Sequence, residues 1–463
     1  MSKRKGTAIR LPISKHIDVN FRDYALYVLN NRGIPSFYDG LTNVQKFILQ
    51  NSPDNFGKTV SVVGKCISAG YHHGDASLSK AINKLARPFG CANKILDGDG
   101  FFGTPINQDA AATRYTSVKI NSEIKELIKE NSFLNTKNDD GQWNPLWLQI
   151  PIGLTTSIVG IAVGYKTTIL PRSISDMKGY LDGKIKICKP SFLGFKGKIN
   201  RHHKSDKSWI IEGLTKTDNV RKTIRVTAIP PMMKYSRFLA KIENIIEPYE
   251  RKIKILNNSS DNIDLTIEYK GKFKTEFKTL TAAINKATKL IVTETLVFVK
   301  DGVVLVYDKI EDYLDDFRYR ISELNWRKSE YYFNVTSDEL DFQIAKKKYL
   351  EFMLKQKHTD LQITKFLSIF PKKIANKLDA IRLRKLSSEE LKRTDKKIKE
   401  LQRTKNKQLK EKTKLFKAFH KLTDPTKNKG TQNRKTKNIN LFDESDFGEI
   451  DGIEVFELQE DED

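Results

Sequence analysis

The chain has 463 residues, 38% of them hydrophobic and 30% charged, with a formal net charge of +25; that length implies several domains, and the positive excess makes a polyanion, nucleic acid above all, the expected partner. No apolar run approaches the roughly 18 residues of a membrane-spanning helix, and the basic start is not followed by the apolar stretch of a secretory signal. Cys66, Cys91 and Cys188 have neither a disulfide nor a zinc spacing, so a reducing, cytoplasmic compartment is the simple expectation.

Residues 1–19 read as an N-terminal arm. Residues 23–29 predict a short helix whose apolar side is Tyr24, Ala25, Tyr27, Val28 and Leu29. Arg32-Gly33-Ile34-Pro35 and Asp39-Gly40 then break the chain. Residues 44–49 and 60–67 each carry apolar residues at helical spacing. Tyr71-His72-His73-Gly74-Asp75 interrupts again, with Asp75 as the N-cap of a helix over 77–85. On that helix Leu78, Ile82 and Leu85 share a face, and Lys80, Lys84 and Arg87 point elsewhere. Short helices around a glycine turn, with basic flanks, fit a helix-turn-helix. The Asp-Gly-Asp-Gly-Phe-Phe-Gly stretch at 97–103 is turn chemistry suited to a wing; a calcium loop would need Glu where Gln108 stands.

Residues 109–116, Asp-Ala-Ala-Ala-Thr-Arg-Tyr-Thr, organise the rest. Three small residues allow close approach, and they lead into Arg114 and Tyr115. A tyrosine is a possible covalent nucleophile that is weak while protonated, its usual pKa being about 10. A guanidinium beside it favours the phenolate and binds phosphate. Taken alone, Tyr115 in a half-buried strand would be the blander reading, because the chain has 16 tyrosines.

These blocks occur in the order and approximate spacing of the breakage-reunion subunit of type IIA DNA topoisomerases. Residues 158–164, Ile-Val-Gly-Ile-Ala-Val-Gly, match that family's next signature. The chain therefore resembles this family, sharply over residues 20–175 and more loosely towards residue 420. The resemblance implies a DNA-cleaving role in which Tyr115 attacks a phosphodiester and becomes joined to the 5′ phosphate. Arg114 and Arg32 would hold that phosphate, and His73 would act near it as a donor or proton carrier. Ile161 would wedge between base pairs and bend the duplex. Lys46, Lys65, Lys80 and Lys84 would meet DNA. Where the family has a lysine after Asp-Gly-Leu, this chain has Thr42, so one phosphate contact is lost or supplied elsewhere. Ala76 and Lys80 replace the hydroxyl and acid that help hold quinolones in bacterial subunits, which implies weak quinolone sensitivity.

The middle, residues 166–311, is rich in β-branched residues and resembles the family's tower domain. Residues 184–188 alternate, residues 192–199 look like its Gly-rich lead-in, and residues 209–213 and 223–231 like its strands. Two apolar runs meet at Lys300-Asp301-Gly302, a hairpin signal. From residue 312 to 422, Leu314, Phe317, Ile321 and Leu324 follow a coiled-coil seam. A compact apolar segment over 349–370 ends at Pro371, and Ile374, Leu378, Ile381, Leu383 and Leu386 follow it. Ser387-x-x-Glu390 is a capping box opening a basic helix with Leu391, Ile398 and Leu401 on one face. The family uses two long antiparallel helices with a dimerising tip as its exit gate. Residues 423–463, basic then acidic, read as a disordered tail.

The fold class expected is thus α+β and multidomain: a winged-helix cleavage domain over 20–165, a tower over 166–311, and a coiled-coil arm over 312–422. No Gly-x-x-x-x-Gly-Lys phosphate loop and no Glu/Asp-x-Asp metal cluster stand in the sequence. The resemblance implies that a separate large ATPase/TOPRIM subunit holds ATP and Mg2+, and that the chain forms a homodimer on double-stranded DNA. The absence of a C-terminal wrapping domain, the size and the His-His motif are similar to phage members of the family; they imply relaxation and decatenation without introduced supercoils. The alternative classes are a non-catalytic architectural DNA-binding protein, and a nuclease or recombinase using the same tyrosine.

Overall fold

The computed structural model describes residues 7–9, 20–21, 24–25, 27–29, 33–355, 358–381, 387–423 and 455–457. Arg32, Leu383, Leu386 and the tail expectation for 423–463 lie outside the described residues, apart from Thr423 and a strand, Val455–Glu457, paired antiparallel with Thr7–Ile9. The chain divides into two compact units, residues 1–318 with 435–463, and residues 319–434.

The first unit begins with three helices, α1 (Asn43–Asn51), α2 (Thr59–Ser68) and α3 (Asp75–Ala86). Their buried faces are the apolar positions that periodicity selected: Phe47, Ile48 and Leu49, then Val62, Val63 and Cys66, then Leu78, Ile82 and Leu85. A three-stranded antiparallel sheet joins them, β1 (Gly57–Lys58), β3 (Ser117–Ile120) and β2 (Leu96–Asp99), in that spatial order. Two sequence expectations change here. Helix α3 starts at Asp75, and Gly74 with φ 90° is its N-cap, so Asp75 lies in the first turn. Residues 96–99 are a strand rather than turn; Phe102 packs so closely on Gly98 that a Cβ there would sit 2.5 Å from its ring. Helix α4 (Ser122–Glu130) follows, capped by Asn121.

A β-hairpin comes next, β4 (Ile158–Ala162) and β5 (Tyr165–Ile169), turning at Gly164 with φ 74°. After α5 (Ile174–Leu181), residues 184–187 form no strand; the alternation there is carried by loop. Strands β6 (Lys198–His202), β7 (Ser205–Glu212) and β12 (Lys289–Thr293) form one sheet with β7 central. A second sheet runs β10 (Ile253–Asn257), β11 (Leu265–Tyr269), β9 (Thr223–Ala228) and β8 (Leu214–Asp218). Helices α6 (Tyr235–Ile246) and α7 (Lys274–Ala287) cover its apolar face through Phe238, Ile242, Phe277, Leu280 and Ile284. The predicted hairpin is β13 (Leu296–Lys300) and β14 (Val303–Tyr307), with positive φ at Asp301 and Gly302. The upstream run divides at Glu294, because β12 pairs with β7 instead.

Glu294 and Arg172 explain that division. Both side chains are buried, and the guanidinium grips the carboxylate at two points, one of them Nη2 to Oε2 at 2.7 Å. Glu294 also accepts from Leu170 N at 2.7 Å and Trp209 Nε1 at 2.8 Å. The pair ties the foot of the β4–β5 hairpin to the β6–β7–β12 sheet.

Helix α8 (Ile310–Lys355) opens in the first unit, where Tyr313, Leu314 and Phe317 are buried. In the second unit its remainder lies antiparallel to α11 (Ser388–Thr423). The register is read from Lys346–Glu390, Glu339–Lys397 and Glu330–Lys412, with Trp326 stacked on Phe419 at 5.5 Å. Two short helices, α9 (Asp360–Leu367) and α10 (Lys372–Asp379), pack with Ala345 and Tyr349 into a small core around Leu367 and Leu378. Pro371 is the N-cap of α10, and Ser387 Oγ accepts from Glu390 N at 3.1 Å as the capping signal requires. Among the described residues no helix is long and apolar enough to cross a membrane.

Candidate active site

Tyr115 sits on a turn that leads into β3, not inside a strand, and its side chain is 66% exposed. The turn is fastened from both sides. The first amides of α2, Thr59 N and Val60 N, donate to Thr116 O at 3.0 Å and Thr113 O at 3.3 Å. Those amides have no partner inside their own helix, so the turn supplies it. Thr116 Oγ1 donates to Thr59 Oγ1 at 2.8 Å, buried beneath the turn, and Ala111 N donates to Phe101 O at 2.9 Å. Arg114 is exposed and holds its guanidinium 4.8 Å from the Tyr115 ring centre. The hydroxyl of Tyr115 has no hydrogen-bond partner among the described residues. The result is a rigid base carrying an accessible phenol and a cation, which suits nucleophilic attack on an anionic ester better than a packing role.

The histidines lie on the loop before α3. Tyr27 Oη stands 2.6 Å from His72 Nε2 and 3.1 Å from His73 Nε2. Ser77 Oγ donates to His73 O at 3.0 Å, which secures the loop to the helix start. Both histidines thus meet at the Tyr27 hydroxyl.

Ile161 projects from β4 and is 73% exposed, with Val159 beside it at 56%; Ile158, Gly160 and Ala162 face inward. Five-residue alternation on a two-stranded hairpin thus presents an apolar ridge to solvent. Gly160 and Gly33 meet backbone to backbone: a Cβ on Gly160 would lie 1.9 Å from Gly33 O. That close approach brings the loop following Arg32 onto the hairpin that carries Ile161.

The four lysines are not equivalent. Lys65 and Lys80 are exposed, while Lys46 and Lys84 are half-buried. Lys84 stands off the Leu78, Ile82 and Leu85 face as expected, yet it is half-buried rather than open to solvent. Burial pushes its amine down from the usual 10.5 to about 8, and Arg87 one turn on adds repulsion. Arg87 lies 4.8 Å over the Phe89 ring, and burial lowers its pKa too. Two buried atoms here, Asn83 Oδ1 and Arg87 Nε, lack a hydrogen-bond partner. Arg87 is the extended C-cap just past the end of α3, so helical spacing alone did not bring it to Lys84. Thr42 is buried at the N-cap of α1, and its backbone N–H donates to Gln45 Oε1 at 2.9 Å. It serves the helix end and offers no phosphate contact.

Among the described residues no group of three or more His, Cys, Asp or Glu could hold a metal ion.

The sequence matches the family of the A-type chains of DNA gyrase and topoisomerase IV over residues 32–425, and the chain belongs to that family. It is 30% identical over 325 residues to the DNA topoisomerase medium subunit of Enterobacteria phage T4, covering 65% of this chain and 72% of that one. It is 29% identical to the A-type DNA gyrase chain of Buchnera aphidicola subsp. Baizongia pistaciae over 315 residues, which span 58% of this chain but 36% of the gyrase chain. A crystal structure of the Plasmodium falciparum topoisomerase II DNA-binding, cleavage and re-ligation domain has the same fold, with TM-score 0.66 and 20% identity. The match covers 88% of this chain and 64% of that one.

Proposed function

We propose that the chain is the DNA-cleaving and rejoining subunit of an ATP-dependent type IIA topoisomerase. The observation that carries this is the exposed Tyr115 hydroxyl beside Arg114, on a turn pinned to the start of α2. The phenol gives up its proton to water or to His73 as its oxygen attacks phosphorus, the bond from phosphorus to the 3′ oxygen breaks, and the 3′ oxygen takes up a proton. The 5′ phosphate stays on Tyr115 until the 3′ hydroxyl attacks in return and reseals the strand. Arg114, together with Arg32, holds the phosphate and stabilises the charge developing on it. His73 serves as donor or proton carrier.

Helices α2 and α3 with the β1–β3–β2 sheet act as a winged-helix module that docks duplex DNA. Ile161, assisted by the exposed Val159, enters the base stack and bends the duplex. The β6–β7–β12 and β10–β11–β9–β8 sheets serve as the tower, supporting the arms of the bent DNA with their basic surface. The α8–α11 pair is the coiled-coil arm, and its small α9–α10 tip closes the exit gate between two copies. A large partner protein supplies Mg2+ and the ATPase. Each protomer of the dimer cuts one strand, and a second duplex passes through. The test is reconstitution: the chain with its ATPase/TOPRIM partner decatenates interlinked circles only with ATP. If the chain alone bends DNA, and no partner or metal elicits strand passage, the architectural reading replaces this one.

A further inference from the structure

Tyr27 is the least expected member of the site. It lies 45 residues before His72 and its ring packs in the cluster formed by Val28, Leu29, Ile34, Ala162, Val297 and Val304. That cluster also supports the hairpin bearing Ile161. The hydroxyl emerges between the two histidine rings, whose centres are 4.4 Å apart.

The direction of each hydrogen bond follows from one fixed end. His72 Nδ1 lies 3.2 Å from Gly70 O, and a carbonyl can only accept. Nδ1 of His72 therefore carries the hydrogen, and in the neutral ring its Nε2 is the acceptor. Tyr27 must donate to that Nε2, at 2.6 Å. The remaining lone pair of the tyrosine oxygen then accepts from His73 Nε2–H, at 3.1 Å. The sequence of donors runs His73 to Tyr27 to His72 to Gly70. Tyr71 packs edge-on against His73 at 5.5 Å, and Phe47 against Tyr71 at 5.7 Å, so the ring cannot turn freely.

We propose that Tyr27 is a positioning residue that fixes the tautomer and ring orientation of His73 through this relay, and so sets which nitrogen meets the scissile phosphate. The proposal rests on the reading of His73 as a group of the cleavage site. Removing the hydroxyl while keeping the ring takes out the middle link of the relay without opening the apolar cluster.

The test has two independent arms. In the full chain labelled with 15N and 13C histidine, two-bond proton–nitrogen correlations above the histidine titration range report each tautomer. The wild-type protein shows His72 with its hydrogen on Nδ1 and His73 with its hydrogen on Nε2. In Tyr27→Phe, His72 keeps its Nδ1–H form through Gly70 O, while His73 loses the fixed Nε2–H form and averages between tautomers. A wild-type His72 protonated on Nε2, or an unchanged pattern in the variant, overturns the relay. In the second arm, chain and partner are mixed with duplex DNA, and phosphotyrosyl formation is followed in a single turnover. Tyr27→Phe slows it about 10-fold at unchanged DNA affinity, as loss of an orienting partner does. An unchanged rate, or a loss of rate explained wholly by weaker DNA binding, overturns the positioning role. If His73→Ala leaves cleavage intact, it is the assignment of His73 that fails; the tautomer arm still reads the relay by itself.

Discussion

Lys84 offers the sharpest contrast between stability and function. Its half-buried amine has no carboxylate partner among the described residues and faces Arg87. The fall from 10.5 to about 8 corresponds to about 3 kcal/mol at about 1.4 kcal/mol per pKa unit, an upper figure because the amine keeps some water. The sign follows from proton linkage. Between about 8 and 10.5 the unfolded chain binds more protons than the folded one, so stability rises with pH across that window. Below about 8 the full penalty stands. Lys84→Met keeps the volume and removes the charge, and should stabilise the DNA-free protein by about 1–3 kcal/mol at pH 7. That gain should shrink towards zero as pH approaches 10.5. The same variant should bind duplex DNA less tightly, with a shallower salt dependence by about one phosphate contact. Urea unfolding of the first unit's signal at pH 7 and 10, with fluorescence anisotropy on a labelled duplex, reads both. A variant less stable than wild type at pH 7, or a gain independent of pH, refutes the reasoning.

Three further outcomes follow from the same structure. Ile161→Ala should reduce DNA bending, measured by energy transfer between end labels, and should slow cleavage more than it weakens binding; an unchanged bend would remove Ile161 from the wedge role. Arg172→Met leaves the Glu294 carboxylate buried without its cation, so it should cost about 3–5 kcal/mol in denaturant unfolding, and a loss under about 1 kcal/mol would show that the pair is not holding the hairpin foot. Ala76 and Lys80 are both exposed on α3, where the family resemblance implies a hydroxyl and an acid in bacterial subunits, so a common quinolone should trap little cleaved DNA, and potent trapping would contradict the reading.

Local chemistry made part of this legible in the sequence. Helices α1 to α3 were readable because their apolar residues recur at helical spacing and bury as that spacing demands. The β13–β14 hairpin was readable because Asp-Gly favours the positive φ its turn requires. The Arg-Tyr pair stood out by its neighbours. What stayed hidden depends on distant partners. Residue spacing cannot bring Tyr27 to the histidines, nor Arg172 to Glu294, which lie 122 residues apart. It set Lys84 apart from the buried face of α3 but did not show that it is half-buried, because a helical wheel knows nothing of the chain beyond α3. Thr42 looked like a missing phosphate contact, whereas its buried place at the N-cap of α1 gives it a structural task.

The central claim is that Tyr115 becomes covalently joined to DNA. Incubating the chain with end-labelled duplex and Mg2+, with and without the large partner, and quenching in detergent tests it directly. The account predicts protein linked to 5′ ends, dependent on the partner and abolished in Tyr115→Phe. Adducts that persist in Tyr115→Phe would move the nucleophile elsewhere, and none under any condition would leave a DNA-bending protein without the chemistry.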